Sequence, residues 1–172
     1  MKKIWAYLLL FGLMSCSSST KEDSKLKLAT PQIKELIRKK EYSLVYFWAS
    51  WCGVCRKTMA ETLPEIQSSL DENKFQLLVI AANNNGDKIK ELVAESGLNT
   101  TPYHLDFTGP DTWLLQKPNL KTTFTDLFPK TQVWNNSIPV FILVDKNLNV
   151  VDAKLPRNLP DLKKRFRELQ IE

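Results

Sequence analysis

An apolar, β-prone run leads into two cysteines, Cys52 and Cys55, which have two residues between them. The run, residues 42–48, is dense in aromatic and aliphatic side chains, which is typical of a strand buried on both faces. After it, apolar residues recur at spacings of four, four, three and four, which predicts a helix with one side against a core. These residues are Cys55, Met59, Leu63, Ile66 and Leu70. The sequence therefore predicts a central strand that delivers a dithiol to the start of a helix.

A cysteine at the N-terminus of a helix faces unpaired backbone N–H groups and the positive end of the helix dipole, which favour a thiolate. Cys52 is predicted to hold that position. Cys55 lies one turn along the helix, close enough to form a disulfide with Cys52, and Gly53 keeps the turn unencumbered. The pair thus has the features of a reactive dithiol.

Two other interpretations of the pair remain open. A structural zinc site usually takes four protein ligands, and His104 is the only histidine in the chain. A structural disulfide across two residues closes a very small loop and therefore restrains the unfolded chain little. We favour a redox-active pair over both.

The remaining elements follow from periodicity and from helix-start, turn and breaker residues. Thr30 is predicted to cap a helix with Pro31 at its first position, and Pro64 is predicted to bend the helix after the cysteines. Predicted helices cover residues 31–40, 88–96 (closed by Gly97), 119–128 and 159–169, and predicted strands cover residues 75–82, 103–107, 140–144 and 150–151, with a turn at 108–111. Strands that alternate with helices predict a sheet with a parallel start, and the closely spaced last strands predict a hairpin.

The chain has 172 residues, of which 43% are hydrophobic and 25% charged, as in one ordinary globular domain with a short appendage. The formal charge is +5, and the densest basic cluster, residues 163–167, lies in a predicted helix. Such a cluster is typical of a solvated helix face, and we predict no nucleic-acid binding.

The start of the chain has the pattern of a secretory signal. Lys2 and Lys3 precede the apolar residues 4–14, and eleven apolar residues are too few to span a bilayer. The segment resembles a bacterial lipoprotein signal in which Leu13 and Ser15 direct lipid attachment to Cys16. The resemblance implies a signal peptide at residues 1–15, palmitate on Cys16 and a polar tether at residues 16–29; the alternative is an ordinary secretory signal with an incidental cysteine.

The stretch from Phe47 to Cys55, with Trp51 directly before the first cysteine, resembles the active-site segment of the thioredoxin superfamily. The second landmark of that superfamily, a cis-proline before a strand hairpin, is matched by Ile138 and Pro139. With a lipoprotein signal and an insertion before Pro139, the chain looks most like the TlpA/ResA-type thiol-disulfide oxidoreductases. The resemblance implies an α/β, thioredoxin-like three-layer sandwich at residues 30–172 with a mixed central sheet, and a family insertion at about residues 98–134.

The resemblance also implies roles for individual residues. Cys52 would attack a substrate disulfide and Cys55 would resolve the mixed disulfide. Trp51, Gly53 and Val54 would support the site, Pro139 would lie against the dithiol, and the backbone of Ile138 would bind an extended peptide. No cofactor and no metal is expected beyond the redox-active disulfide.

The sequence departs from that family at its proton-transfer acids. Tyr46 stands where thioredoxins carry a buried aspartate, and Thr58 stands where many TlpA/ResA-type proteins carry a glutamate. Glu61 could replace the glutamate through a water molecule, although a solvated surface carboxylate is the simpler interpretation.

The expected function is a membrane-tethered protein-disulfide oxidoreductase in the bacterial cell envelope, facing the periplasm or the exterior. Its expected partners are cysteine-containing envelope proteins, a membrane electron-donor protein and, through the lipid on Cys16, the membrane. Reduction is the expected direction. The alternative is a thioredoxin-fold binding or metal-delivery protein; His104 invites that interpretation, but copper-chaperone relatives space their cysteines by three residues. Ala49 replaces the threonine of peroxiredoxins, which argues against peroxidase activity.

Aromatic residues are concentrated before Pro139. They are Trp113, Phe124, Phe128 and Trp134. Covering the sheet is the favoured interpretation, and shaping a partner groove is the alternative.

Overall fold

The structure, a computed structural model, describes residues 25–107 and 113–171. Strands and helices alternate along these residues, as the sequence predicts. The strands are β1 (Lys27–Leu28), β2 (Tyr42–Trp48), β3 (Phe75–Ala81), β4 (Tyr103–Leu105), β5 (Val140–Asp145) and β6 (Val150–Asp152). The helices are α1 (Thr30–Ile37), α2 (Gly53–Glu61), α3 (Leu63–Ser69), α4 (Gly86–Glu95), α5 (Trp113–Leu127) and α6 (Leu159–Leu169).

The strands form one mixed sheet in the order β1-β4-β3-β2-β5-β6. The first four are parallel to one another, whereas β5 is antiparallel to both β2 and β6. Strand β2 is therefore central, as predicted, and residues 43–48 in it are all buried. The predicted parallel start and terminal hairpin are confirmed.

Alternate side chains of β2 enter two separate cores, because successive residues of a strand point to opposite faces. Leu44, Tyr46 and Trp48 pack with residues of α2, α3, α4 and α6. Val45 and Phe47 pack on the other face with residues of α1 and α5. The sheet thus lies between two helical layers, and the predicted three-layer α/β/α architecture is confirmed.

The predicted single helix after the cysteines is instead two helices, α2 and α3. Its apolar side is confirmed, since Cys55, Met59, Leu63 and Ile66 are all buried. The break falls at Thr62, whose φ of −117° departs from helical geometry. Pro64 follows in the first turn of α3, where the missing N–H would have no intrahelical partner. The proline therefore starts a new helix rather than bending one.

The start of the folded domain differs from the prediction in two details. Ala29, not Thr30, is the N-cap of α1, and its backbone N–H donates to Oε1 of Gln32 at 3.0 Å. Before it, Lys27–Leu28 pairs with β4, so the sheet begins within the expected tether of residues 16–29. A strand of two residues has no period to recognise in a sequence. The predicted leader and Cys16 lie outside the described residues.

The region before Pro139 contains more helix than predicted. Helix α5 begins at Trp113 and includes Pro118, whereas the sequence predicted a start at residue 119. Phe124 stacks on Trp134, with ring centroids 5.2 Å apart, and meets Phe47 of β2 edge-on. These buried rings, together with Phe128, cover the sheet, as favoured. The turn predicted at residues 108–111 lies outside the described ranges.

None of the helices within residues 25–107 and 113–171 is long and apolar enough to cross a membrane.

Candidate active site

The dithiol lies at the N-terminus of α2, directly after the central strand. Cys52 is the N-cap residue, and its Sγ accepts a hydrogen bond from the backbone N–H of Cys55 at 3.2 Å. The backbone N–H of Cys52 donates to the carbonyl of Ala49 at 3.0 Å, which fixes the turn between strand and helix. The first turn of α2 carries no acidic residue. These features favour negative charge on the Cys52 sulfur after reduction.

Cys52 and Cys55 form a disulfide, with their Cα atoms 5.2 Å apart. Cys55 is completely buried, while Cys52 is only partly buried. An incoming thiol or disulfide therefore has access to Cys52 and not to Cys55.

A buried amide holds the loop before the cysteines. Oδ1 of Asn83 accepts from the backbone N–H of Ser50 at 3.0 Å, and Nδ2 of Asn83 donates to the Ser50 hydroxyl at 2.9 Å. Asn83 is completely buried just beyond β3, the parallel neighbour of β2. The sequence indicated only a loop at this position; its role depends on a contact across 33 residues.

The second predicted landmark, the cis-proline, is also present and forms the Pro139 wall of the site. The peptide bond between Ile138 and Pro139 is cis. Val140 pairs with Phe47, so Pro139 enters β5 at the end of the sheet where β2 leaves for the cysteines. Ile138 and Cys52 both pack against the core cluster that contains Cys55. The two landmarks therefore meet at one edge of the sheet.

The three other predicted support residues are arranged around Cys52. Trp51 is 43% exposed and Val54 is 61% exposed, so both present apolar surface beside the cysteines. A Cβ added at Gly53 would meet nothing within 4 Å. A side chain at position 53 would therefore meet no other part of the described chain.

Tyr46 lies behind the resolving cysteine. Its hydroxyl donates to the backbone carbonyl of Cys55 at 3.1 Å, and its side chain is completely buried. Burial raises the pKa of Tyr46 to about 12, although a hydrogen bond with Thr58 and the charge of Arg157 act to lower it. At neutral pH the position where thioredoxins carry an acid thus holds an uncharged donor.

Glu61 does not take over the missing carboxylate. Its side chain is 64% exposed and forms an ion pair with Lys57 at 3.9 Å. Thr58, by contrast, is nearly buried beside Tyr46. Glu61 is thus the solvated surface group that the simpler interpretation predicted.

Arg157 is a further residue of this site that the sequence did not reveal. Its Nη2 donates to the carbonyl of Pro139 at 3.4 Å, and its charge acts on Tyr46. The residue lies in the loop between β6 and α6, and only the folded chain brings it to the dithiol end of the sheet. Its side chain is exposed.

His104 lies on a different strand from either wall of the site. It is buried on β4, where it pairs with Ala81, and its Nε2 lies 3.7 Å from the position of a Cβ at Gly86. Within residues 25–107 and 113–171 no group of three His, Cys, Asp or Glu could hold a metal.

The thioredoxin family model matches residues 24–107, which include the cysteines and their strand and helix. This segment is a thioredoxin-superfamily domain. No curated protein matches it in sequence.

Solved structures similar to this chain share its fold at low identity. A thioredoxin-related protein from Neisseria meningitidis is 17% identical with a TM-score of 0.52, and the match covers 78% of this chain and 88% of that one. The C-terminal domain of a thiol-disulfide oxidoreductase from Bacteroides thetaiotaomicron is 19% identical with a TM-score of 0.54, covering 76% and 78%. A thiol-disulfide oxidoreductase from Bacteroides fragilis is 19% identical with a TM-score of 0.53, covering 77% and 84%.

Proposed function

We propose that this chain is a protein-disulfide oxidoreductase that carries out thiol–disulfide exchange between its Cys52–Cys55 pair and disulfides of other proteins. The observation that carries the proposal is the disulfide at the start of α2, with Cys52 accessible and Cys55 buried. The thioredoxin-superfamily domain supports it, as do the two similar Bacteroides structures described as thiol-disulfide oxidoreductases.

The reaction is two successive exchanges at sulfur. The Cys52 thiolate attacks a partner disulfide, which forms a mixed disulfide and releases one partner sulfur as a thiolate that takes up a proton. The Cys55 thiol loses its proton, and its thiolate attacks Cys52 and releases the second partner sulfur, which is then protonated. The partner gains two electrons and two protons, and the chain ends as the Cys52–Cys55 disulfide. A dithiol donor protein then reduces that disulfide by the same two steps.

We further propose that the protein works as a TlpA/ResA-type reductant, tethered to a membrane in the cell envelope through lipid on Cys16. The lipoprotein-like leader and the resemblance to that group support this assignment. The position of Cys52 at a helix N-terminus acts in the opposite sense, because a stabilised thiolate favours the reduced form and raises the potential. The reduction potential therefore decides the direction.

Turnover of insulin disulfides by the full chain in dithiothreitol tests the dithiol. The wild type should accelerate insulin precipitation, and Cys52→Ser should abolish the acceleration because the attacking sulfur is gone. Cys55→Ser, reduced and then freed of dithiothreitol before it meets insulin, should stop after one exchange and retain a trapped mixed disulfide. Cys16→Ala is the matched control that removes the remaining cysteine and should keep wild-type activity. Equal, uncatalysed rates for wild type and Cys52→Ser would rule the function out.

Metabolic labelling with palmitate tests the anchor. The wild-type chain should incorporate label and sediment with membranes, whereas Cys16→Ala should do neither. The Cys55→Ser chain serves as a control for loss of a cysteine as such. Labelling that persists in Cys16→Ala contradicts the tether and leaves the dithiol chemistry untouched.

A further inference from the structure

The walls of the dithiol site carry no negative charge of their own. The site is formed by β2, the cysteine turn, most of α2 and the Pro139 wall, at residues 42–60 and 133–144. These residues contain no Asp or Glu. Their formal charges are Arg56 and Lys57, both positive and exposed. Asp145 follows at the far end of β5, where it pairs with Tyr42. Glu61, the last residue of α2, forms an ion pair with Lys57 and offsets its charge, which leaves Arg56 as the other cation of these segments. A partner that docks here therefore meets a surface with a small excess of positive charge.

Arg157 adds a cation that is held in place on this surface. Its hydrogen bond to the Pro139 carbonyl uses one of the five N–H donors of the guanidinium, and the side chain remains exposed. Among the described residues it forms no ion pair, whereas Arg165 contacts the carboxylates of both Asp152 and Glu168. An exposed guanidinium anchored through one N–H can still offer a fork of parallel donors, which is the geometry that a carboxylate accepts.

We propose that Arg157 is a specificity-determining residue that binds an Asp or Glu carboxylate close to the reacting cysteine of a protein partner. The preferred partner is then an extended segment with an acidic residue within a few positions of its cysteine. The segment lies along Pro139, and its apolar side chains contact Trp51 and Val54. This inference rests on the proposed disulfide exchange, because it names the substrate class of the same site.

A pair of peptide disulfides tests the preference. The two peptides are identical except for Asp or Lys two positions from the cysteine, and a third carries Asn. Reduction by the reduced full chain is followed by single-turnover kinetics at low ionic strength. For the wild type, the Asp peptide should react about threefold to fivefold faster than the Asn peptide, as expected for one exposed ion pair. The Lys peptide should be slowest, and the difference should shrink in high salt.

Variants of the arginine separate this role from general electrostatics. Arg157→Gln should bring the Asp and Asn peptides to nearly equal rates, and Arg157→Lys should restore only part of the preference because lysine lacks the fork. Lys164→Gln removes one exposed positive charge from α6 and should keep the wild-type preference. Urea unfolding of each variant checks that it is folded.

Two results overturn the proposal while insulin reduction stays intact. One is a wild type that does not distinguish Asp from Asn. The other is a folded Arg157→Gln protein that retains the full preference. If the wild type reduces neither the peptides nor insulin, the proposed function itself has failed, and the specificity fails with it.

Discussion

Tyr46 is completely buried, and its hydroxyl donates a hydrogen bond to the Cys55 carbonyl. A buried donor of this kind fixes the first turn of α2 without placing a charge beneath the resolving sulfur. The hydrogen-bonding partners of the Tyr46 hydroxyl are Thr58 and the Cys55 carbonyl, and neither is a carboxylate.

Removal of that hydroxyl should weaken the fold. Tyr46→Phe leaves the ring in the core but deprives the Cys55 carbonyl of its donor, so the free energy of unfolding should fall by about 1 kcal/mol. Urea titration of the oxidised protein measures it. Tyr42→Phe is the matched control: Tyr42 is only partly buried and contributes through stacking of its ring on Phe75, so its loss of a hydroxyl should cost less. Equal costs would contradict the role assigned to the Tyr46 hydroxyl.

The raised pKa of Tyr46 predicts a loss of stability at high pH. Burial raises that pKa to about 12 in the folded chain, against about 10 in an unfolded chain. Between these values the folded state keeps a proton that the unfolded state releases, so stability falls as pH rises. The loss from Tyr46 should reach about 2–3 kcal/mol by pH 12. Urea midpoints from pH 9 to 11.5 should decline more steeply for the wild type than for Tyr46→Phe; parallel declines would refute the assignment.

Among the elements of the site, the turn from β2 to α2 is held by Asn83, which lies just beyond the end of β3. The amide pairs with both the backbone and the side chain of Ser50, and Asn83 is completely buried.

Truncation of this amide should therefore be costly. Asn83→Ala leaves the Ser50 N–H without its acceptor and should destabilise the protein by about 1–3 kcal/mol. Asn73→Ala, at an exposed turn, is the control and should stay within about 0.5 kcal/mol of the wild type. Chemical denaturation provides the comparison. An Asn83→Ala protein as stable as the control would show that the loop does not depend on the hydrogen bonds of the Asn83 side chain.

The elements that the sequence predicted best are those with strong local patterns. Strand β2 is a continuous apolar run, and α6 has helical spacing at Leu162 and Phe166, which are both buried. Helix α5 was predicted too short because Pro118 and several threonines obscure its periodicity. Local pattern thus gives an element's type more reliably than its ends.

At the scale of the whole molecule, the sheet order explains how two distant motifs form one site. The cysteines and Pro139 are far apart in sequence, but antiparallel pairing of β5 with β2 brings Pro139 to the edge where Cys52 begins α2. Motif resemblance predicted that Pro139 lies near the dithiol, but not the strand pairing that brings it there. The contacts of Arg157 and Asn83 were not predictable, because each depends on a loop that only the complete fold places beside the dithiol.

We propose that the Cys52–Cys55 disulfide is a working redox couple rather than a structural bond. Equilibration of the full chain with dithiol buffers of known potential, read by alkylation of free thiols, tests it most directly. We predict one reversible two-electron transition between about −120 and −270 mV, the range of disulfide-exchange proteins. A disulfide that stays oxidised below about −300 mV, as structural disulfides do, would contradict a redox role for this pair.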